Sequence, residues 1–408
     1  MSELHTIDFK SALRGRSGKV IKNAVVIQDP CYPISHLAFS MRKRWLGGFD
    51  LAVHLIDISA WISRDSSLDD AAAERMGSLE LPDRSLPLLP LPAKWMSFRV
   101  NEQRPSLSLT WRLGKKLNTR SFSIKRTVVR ARNSISSADV CRILKGADHE
   151  QAGQVQRLNE FAQFLEVTRK GNGGSFDHWM DASTVRVTEG RFETFATEPA
   201  TQAMLRELFL FASNEAAIWC HGKHLPAVYI QQDTPENLDD LQRISDPVVR
   251  THELERQTPA PLLVSEPLDQ TSSGTPGPVS ILSPFTRYTD LIVQRQITHH
   301  LAYGSELYTK AELDVIRYRA TEELTLLTAL RHSRERYLTL KHLTDLDSDR
   351  TYSAVVLHIG RRGTLVQLLE FSLKTVIHPV QELAAGDRIE LKFSGVDLRH
   401  SKAHFLVQ

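Results

Sequence analysis

GGFDLAVHLIDISAWI, residues 47–62, is the stretch that decides the fold of this chain. Its run of apolar and β-branched residues is typical of a β-strand, and Gly47–Gly48 at its start indicates a hairpin turn. The preceding segment AVVIQDP, residues 24–30, has the same strand-forming character. Further strands are predicted in LSLTWRL, residues 107–113, and in SIKRTVVRA, residues 123–131. The first third of the chain therefore predicts a β-sheet.

Helical periodicity marks a second group of segments. The stripe that carries Val155, Leu158, Ala162 and Leu165 is one example. Helices are predicted at residues 67–77, 151–168, 198–222 and 308–342. The third of these is so apolar that we expect it in the core. The stretch 256–280 is rich in Pro, Ser, Thr and Gly, which indicates a flexible loop.

The last 57 residues differ in character from the rest of the chain. YSAVVLHIGRRGTLVQLL, VIHPV, DRIELKFSGVDL and AHFLVQ are short strand-forming segments separated by turns, several of which contain glycine. This pattern is typical of a small closed β-barrel. We expect an α+β fold with an N-terminal extension at 1–19, a core at 20–345 and a barrel at 350–408.

Composition limits the class of protein. Hydrophobic residues make up 41% of the chain and charged residues 24%, as in an ordinary globular protein. No apolar run has the length of a membrane span, and the N-terminus lacks the apolar stretch of a secretory signal. The three cysteines have no CxxC spacing, which argues against structural zinc and for a reducing compartment. We expect a cytoplasmic protein, with an organellar matrix as the other option, and no membrane partner.

Several blocks together resemble the RNB family of RNase II/RNase R-like exoribonucleases. GGFDLAVHLIDISAWI resembles the family block GxxLxVHIADVSxxV, and SPFTRYTDLIVQRQI, residues 283–297, resembles SPIRRYxDLxxHRxL. The resemblance implies an RNB nuclease core followed by an S1-type OB-fold barrel that binds RNA. The family usually begins with two cold-shock OB domains, and this chain starts almost directly at the core.

The family's catalytic loop is altered in this sequence. That loop reads roughly D-x5-D-x-D-D-A, and its four aspartates hold Mg²⁺, which activates water and stabilises charge on the phosphate. The corresponding stretch is VVIQDPCYPISHLAFS, residues 25–40. Its alignment on Ala38 places Gln28, Ile34, His36 and Leu37 at the aspartate positions. A one-residue gap restores Asp29 as the first, so one carboxylate remains, with His36 as its companion.

Two further family elements differ here. The arginine that clamps the scissile phosphate in the family corresponds to Thr286, and the neighbouring Arg287 is its candidate substitute. The tyrosine that packs against the RNA end corresponds to Ser137. The candidate catalytic residues are therefore Asp29, His36 and Arg287, which form a degenerate site, and no metal ligand set is predicted.

Clusters of basic residues indicate a surface for RNA. In SIKRTVVRA, strand alternation places Arg126 and Arg130 on one face and Lys125 on the other. Such a pattern is also typical of an exposed sheet edge protected by charge. The resemblance gives these arginines a channel to line. The predicted RNA-binding residues are Arg126, Arg130, Arg287, Arg295, Arg361 and Arg362.

Other polar residues have a structural interpretation. His54 and Asp57 lie in the matching family block, where they mainly support the core. The Cys220-His221-x-x-His224 group lacks other spaced ligands for a metal. Asp69 and its neighbour Asp70 stand at a predicted helix start, where acidic residues complement the helix dipole.

These observations favour an RNB-family protein that binds single-stranded RNA with weak or no nuclease activity and without a cofactor. One alternative is an active Mg²⁺-dependent 3′-to-5′ exoribonuclease with a metal site rebuilt around Asp29 and His36. A second alternative is a scaffold subunit that acts through protein contacts. The expected partners are single-stranded RNA and a ribonucleoprotein or RNA-decay assembly.

Overall fold

The computed structural model describes residues 12–16, 20–29, 35–173, 185–194, 198–267, 274–346, 350–361, 363–379 and 382–408. Two predicted positions, Ile34 and Arg362, lie outside these residues. The strands that precede the first long helices are β1 (Val25–Gln28), β2 (Leu37–Lys43), β3 (Phe49–Ile56), β4 (Leu79–Leu81), β5 (Arg84–Leu86), β6 (Gln103–Leu113), β7 (Thr119–Arg130) and β8 (Asn133–Ser136).

Six of these strands form the core sheet, in the order β7-β6-β3-β2-β1-β8. Neighbouring strands are antiparallel except β1 and β8, which are parallel. The glycine-bearing turn before Phe49 joins β2 to β3 as a hairpin, as the sequence predicted. Strands β4 and β5 form a separate two-stranded ribbon.

The helices of the described residues range from 4 to 36 residues in length. They are α1 (Ser67–Arg75), α2 (Ala93–Met96), α3 (Ser137–Leu144), α4 (Ala152–Gly171), α5 (Pro199–Gly222), α6 (Leu238–Gln242), α7 (Pro247–Gln257), α8 (Tyr288–Tyr303) and α9 (Lys310–Asp345), with a 3₁₀ turn at Ile58–Ala60. No helix among the described residues is both long and apolar enough to cross a membrane.

Aromatic side chains attach helix α5 to one face of the core sheet. Phe39 of β2 stacks on Phe209 with ring centroids 6.1 Å apart, and Trp111 of β6 lies 5.0 Å from Phe211. The register places Phe39 beside Val53 of β3, so these apolar residues share a face. Burial of this face is the main source of stability in the core.

Two further pairs of short strands are β9 (Val185–Thr188) with β10 (Arg191–Thr194), and β11 (Tyr229–Gln231) with β12 (Leu262–Val264). Strand β12 falls in the stretch 256–280 that was predicted to be a loop. Its apolar triplet pairs with β11, and Leu263 is buried. Residues 268–273 of that stretch lie outside the described part of the chain.

The C-terminal strands are β13 (Thr351–Gly360), β14 (Gly363–Leu368), β15 (Lys374–Ile377), β16 (Arg388–Asp397) and β17 (Lys402–Val407). They form an antiparallel sheet in the order β15-β14-β13-β16-β17. Its two edge strands meet where the Thr375 hydroxyl donates to the Ala403 carbonyl at 3.0 Å. The predicted α+β fold is confirmed, and its C-terminal part is an antiparallel sheet of five strands.

Helix α9 packs against both parts of the chain. Near its middle, Arg334 forms an ion pair of 2.6 Å with Asp83, which lies between β4 and β5. Two residues on, Arg336 donates to the carbonyls of Lys374 and Ser401 in the C-terminal sheet. Leu340 belongs to the apolar core of that sheet. The last turns of helix α9, which belong to the predicted core region, therefore also pack against the C-terminal sheet.

Candidate functional site

The segment predicted to have lost its metal ligands joins β1 to β2. Gln28 ends β1 and is exposed, whereas Asp29 beside it is only 6% exposed. Leu37 begins β2 and packs into the hydrophobic core. Among the described residues of this segment, 20–29 and 35–43, Asp29 is thus the one carboxylate, and Leu37 presents only hydrocarbon.

His36 is fixed by a contact with the segment that leads to helix α8. Its Nε2 lies 2.6 Å from the carbonyl oxygen of Leu282. Because a carbonyl oxygen only accepts, this ring nitrogen carries the proton and donates. The ring also lies edge-on to Phe285, with centroids 5.8 Å apart. A protonated nitrogen cannot bind a metal ion, so Nε2 serves to join two parts of the core.

Arg287 lies just before helix α8, and its guanidinium turns back to that helix. Nη2 donates to Oδ1 of Asp290 at 3.1 Å, and Nε lies 3.1 Å from Oδ2. Asp290 is fully buried and also accepts from the Ser283 backbone N–H at 2.7 Å and from the Ser280 hydroxyl. The Arg287 side chain remains 26% exposed, so part of the cation faces solvent while Asp290 holds it.

Thr286, which was predicted to replace the family's phosphate-clamping arginine, has a local structural role. Its hydroxyl donates to the Ser283 carbonyl at 3.2 Å, which closes the turn before α8. Its own carbonyl accepts from the Ser78 backbone N–H at 2.8 Å. A neutral hydroxyl engaged in this way cannot replace the charge of an arginine.

The position of Arg295 corrects one prediction. Its side chain is only 4% exposed, and Nη1 lies 2.8 Å from Oδ1 of Asp69. Nε donates to the Ile62 carbonyl at 3.0 Å, and Nη1 donates to the Tyr308 hydroxyl at 2.8 Å. Arg295 therefore does not present a positive face for RNA. Asp69, which was interpreted as a helix-dipole residue alone, is also the counter-charge of this buried cation.

The basic residues of β7 follow the predicted alternation. Arg126 and Arg130 lie half-buried on one face of this edge strand, and Lys125 is exposed on the other. Nε of Arg130 donates to the Asn101 carbonyl at 3.0 Å. Arg361 is exposed in the turn that follows β13. That these arginines form one RNA surface with Arg287 remains a prediction.

His54 belongs to a buried line of hydrogen bonds across four neighbouring strands. Its Nε2 lies 3.0 Å from the Ser40 hydroxyl and its Nδ1 lies 2.7 Å from the Ser108 hydroxyl. The Ser108 hydroxyl in turn lies 2.6 Å from that of Thr127. Burial lowers the pKa of His54 to about 3, so the ring is neutral near pH 7. These contacts are those of a structural histidine.

A contact of Asp57 was not foreseen from the sequence. Nη2 of Arg16 lies 2.7 Å from Oδ2 of Asp57, and both side chains are at most 1% exposed. Nη1 of Arg16 also donates to the Ser106 carbonyl at 3.2 Å. The predicted extension 1–19 therefore contributes a cation to the core. A single arginine in a polar stretch carries no pattern that would have indicated this contact.

The described residues do not fit a magnesium ion. Among them, no group of three or more His, Cys, Asp or Glu side chains is placed to hold a metal. A hard cation prefers several oxygen ligands. In the segment that contains Asp29, Leu37 offers only hydrocarbon and the His36 imidazole donates a proton through Nε2. Away from this segment, Cys220 is fully buried, and burial raises the pKa of its thiol to about 12. The Cys220 thiol is thus protonated near pH 7, and the structural interpretation of the Cys220-His221-x-x-His224 group remains a prediction.

Ser137 is also part of the fold. It is the first residue of α3, it is 4% exposed, and its carbonyl accepts from the Thr201 hydroxyl at 2.9 Å. Ser136 before it caps the helix, in a capping box with Asp139. A short buried hydroxyl at this place cannot pack against an RNA end as a tyrosine ring does.

Comparison with known proteins decides the family. The model described as "RNB domain" matches residues 34–273, more than half of the chain. The chain belongs to the RNB family. "Ribonuclease II, chloroplastic/mitochondrial" from Arabidopsis thaliana is 21% identical to this RNB chain over 370 residues, which cover 87% of it and 46% of that protein. The chain spans less than half the length of the curated relatives it matches.

Solved structures show the same fold. RNase R of Mycoplasma genitalium in complex with ribose methylated single-stranded RNA matches with a TM-score of 0.85 and 16% identity, over 100% of the RNB chain and 74% of that chain. Yeast Ssd1, described as a pseudonuclease, matches with a TM-score of 0.74 and 15% identity, over 93% and 52% of the two chains. At these identities the likeness establishes the fold alone.

Proposed function

We propose that this RNB chain binds single-stranded RNA and has weak or no nuclease activity. One observation carries the proposal: the segment that holds catalytic aspartates in the family contains here a buried Leu37 and a His36 that donates to Leu282. Neither side chain offers an oxygen to a divalent cation. Without such a cation, an RNB site lacks the group that would activate water and stabilise charge on the phosphate.

The arginine arrangement supports retained RNA binding. Arg287 keeps a partly exposed guanidinium beside the turn that leads into α8. Arg126 and Arg130 extend from one face of β7, and Arg361 is exposed at the C-terminal sheet. The RNase R structure with single-stranded RNA has the same fold as this chain. We therefore assign RNA phosphate contacts to these four arginines.

The enzyme and scaffold alternatives predict other properties. A rebuilt metal site needs carboxylates to join Asp29, and the described residues supply no such cluster. A scaffold that has lost RNA binding would show no RNA affinity to which these exposed arginines could contribute. An RNA-decay assembly and a cytoplasmic or organellar setting remain proposals, the latter in view of the organellar name of the Arabidopsis relative.

Salt-dependent binding of a single-stranded oligonucleotide tests this function. Each phosphate contact contributes roughly 0.7 to the slope of log affinity against log salt. The double variant Arg287→Ala/Arg130→Ala should therefore bind more weakly and flatten the slope by about 1.4. Its melting temperature should show that it remains folded.

A matched control removes the same charge elsewhere. Arg142 and Arg243 are exposed and outside the predicted RNA set, and each pairs with a nearby aspartate. The double variant Arg142→Ala/Arg243→Ala should keep the wild-type slope. If wild-type protein shows no RNA binding at low salt, the proposed function is wrong and the scaffold alternative is favoured.

A further inference from the structure

Two turns lie together at one end of the core sheet. The first, within residues 42–50, joins β2 to β3, and the second, within residues 112–120, joins β6 to β7. They touch closely: a Cβ added to Gly47 would lie 2.4 Å from Cε of Lys115. Gly48 has φ +79°, and a Cβ there would meet the Leu113 carbonyl at 2.3 Å. We call residues 42–50 and 112–120 the hairpin tip.

The hairpin tip exposes a pair of large apolar side chains. Trp45 is 92% exposed and Leu46 next to it is 66% exposed. Both stand at the apex of the turn, where the backbone is closed by the Arg44–Gly48 hydrogen bond of 3.0 Å. A tryptophan ring has a large apolar surface and is usually buried, and Trp111 of the same sheet is only 2% exposed. A ring that is 92% exposed beside a second exposed apolar side chain therefore indicates a surface for a partner.

The charge around this ring is almost entirely positive. The single acidic residue of the tip, Asp50, is already engaged by Arg42 at 3.0 Å and by Arg44 at 3.8 Å. The basic residues of the tip are Arg42, Lys43, Arg44, Arg112, Lys115, Lys116 and Arg120. With seven cations and one anion, the hairpin tip carries a local positive charge larger than the net charge of +3 of the whole chain.

We propose that the hairpin tip is a second docking site for single-stranded RNA, in which Trp45 stacks on a base and the surrounding lysines and arginines contact phosphates. Proteins that bind single strands without sequence preference combine aromatic side chains, on which bases stack, with cations that contact the phosphates. The proposal deepens the proposed function and rests on it. It adds an anchor that is separate from the arginines assigned above.

The direction of β7 favours a polymer over a flat anionic surface. This strand leaves the tip at Arg120 and carries Arg126 and Arg130 along its length. At about 3.3 Å per residue, Arg126 lies about 20 Å from Arg120, and Arg130 lies farther along. A flexible polyanion can follow such a line of charge. A lipid surface would contact only the apex at Trp45 and the cations beside it.

Affinity measurements on two variants test the proposal. Trp45→Ala should weaken binding of full-length protein to a 30-nucleotide single strand at least fivefold. Lys115→Ala/Lys116→Ala should lower the slope of log affinity against log salt by about 1.4. The matched controls are Tyr303→Ala, which removes another ring that is 75% exposed, and Lys145→Ala/Lys223→Ala, which removes two other exposed lysines. Both controls should bind as wild type does.

Crosslinking separates this proposal from the proposed function. Ultraviolet crosslinks to the RNA should map to the peptide that contains Trp45 as well as to the one that contains Arg287. Crosslinks near Arg287 alone, with unchanged affinity in the tip variants, would overturn the tip proposal and leave the proposed function standing. Crosslinks at Trp45 alone would support the tip and contradict the assignment of Arg287. Loss of binding to phosphatidylserine vesicles in Trp45→Ala, without loss of RNA affinity, would also overturn it.

Discussion

The Arg16 guanidinium lies 2.7 Å from the carboxylate of Asp57, and the pair is closed off from solvent. Asp57 follows β3, the strand at the centre of the block that decides the fold, and its second oxygen accepts from the Ser59 hydroxyl. The N-terminal segment 1–19 was predicted to be an extension, and its Arg16 thus neutralises a buried charge of the RNB core. The core depends on them for its electrostatic balance.

Arg16→Ala should destabilise the protein by about 3–5 kcal/mol, because it leaves the Asp57 carboxylate buried without its partner. Urea unfolding measures this change. Arg14→Ala removes an exposed arginine of the same segment and should change the free energy of unfolding by less than about 0.5 kcal/mol. The double variant Arg16→Met/Asp57→Leu should recover most of the loss, since it removes both charges. Equal stability of wild type and Arg16→Ala would refute the buried pair.

Arg295→Ala should act on stability rather than on RNA contact. The guanidinium is 4% exposed and paired with Asp69, so its removal should cost about 3–5 kcal/mol. Arg142→Ala, which breaks an exposed ion pair with Asp139, should cost less than about 1 kcal/mol. A stable Arg295→Ala protein that had lost RNA affinity would show that the buried position is wrong and restore the predicted RNA role.

The buried His54 should make stability depend on acidity. Its pKa falls from 6.5 in the unfolded chain to about 3 in the fold, because burial disfavours the charged ring. Below pH 6.5 the unfolded chain binds a proton at this histidine and the folded protein does not, so stability declines by up to about 1.4 kcal/mol per pH unit as the pH falls toward 3. His54→Gln should therefore show a smaller loss of stability between pH 6.5 and pH 4 than wild type. His221→Gln, at an exposed position, should keep the wild-type profile.

The sheet and long helices could be predicted because their patterns are local. The strand character of residues 47–62 and the stripe of α4 follow from side-chain periodicity alone. Burial of particular aromatic residues could not be predicted in this way. The structure buries Trp111 and Phe98 to 2% and 3% exposure, whereas Trp45 is 92% exposed. A strand tryptophan has the same local sequence whether RNA or another helix covers it.

The residue types at the candidate site follow from the sequence, whereas their contacts follow only from the fold. Side-chain identity at positions such as Leu37 and Thr286 is sufficient to show that a carboxylate or a guanidinium is absent there. The partners of the remaining groups come from distant parts of the chain. Arg295 was predicted to bind RNA together with Arg287, but in the fold it is buried and forms an ion pair with Asp69 of another helix.

The central proposal is that this RNB chain binds RNA with weak or no metal-dependent hydrolysis. The most direct measurement incubates the purified protein with an end-labelled single-stranded oligonucleotide and Mg²⁺ or Mn²⁺, and follows both binding and length in the same samples. We expect a shifted complex at low salt in which the RNA keeps its full length. Stepwise shortening that requires the metal, and that disappears in Asp29→Asn prepared in the same way, would contradict the account and establish an active exoribonuclease.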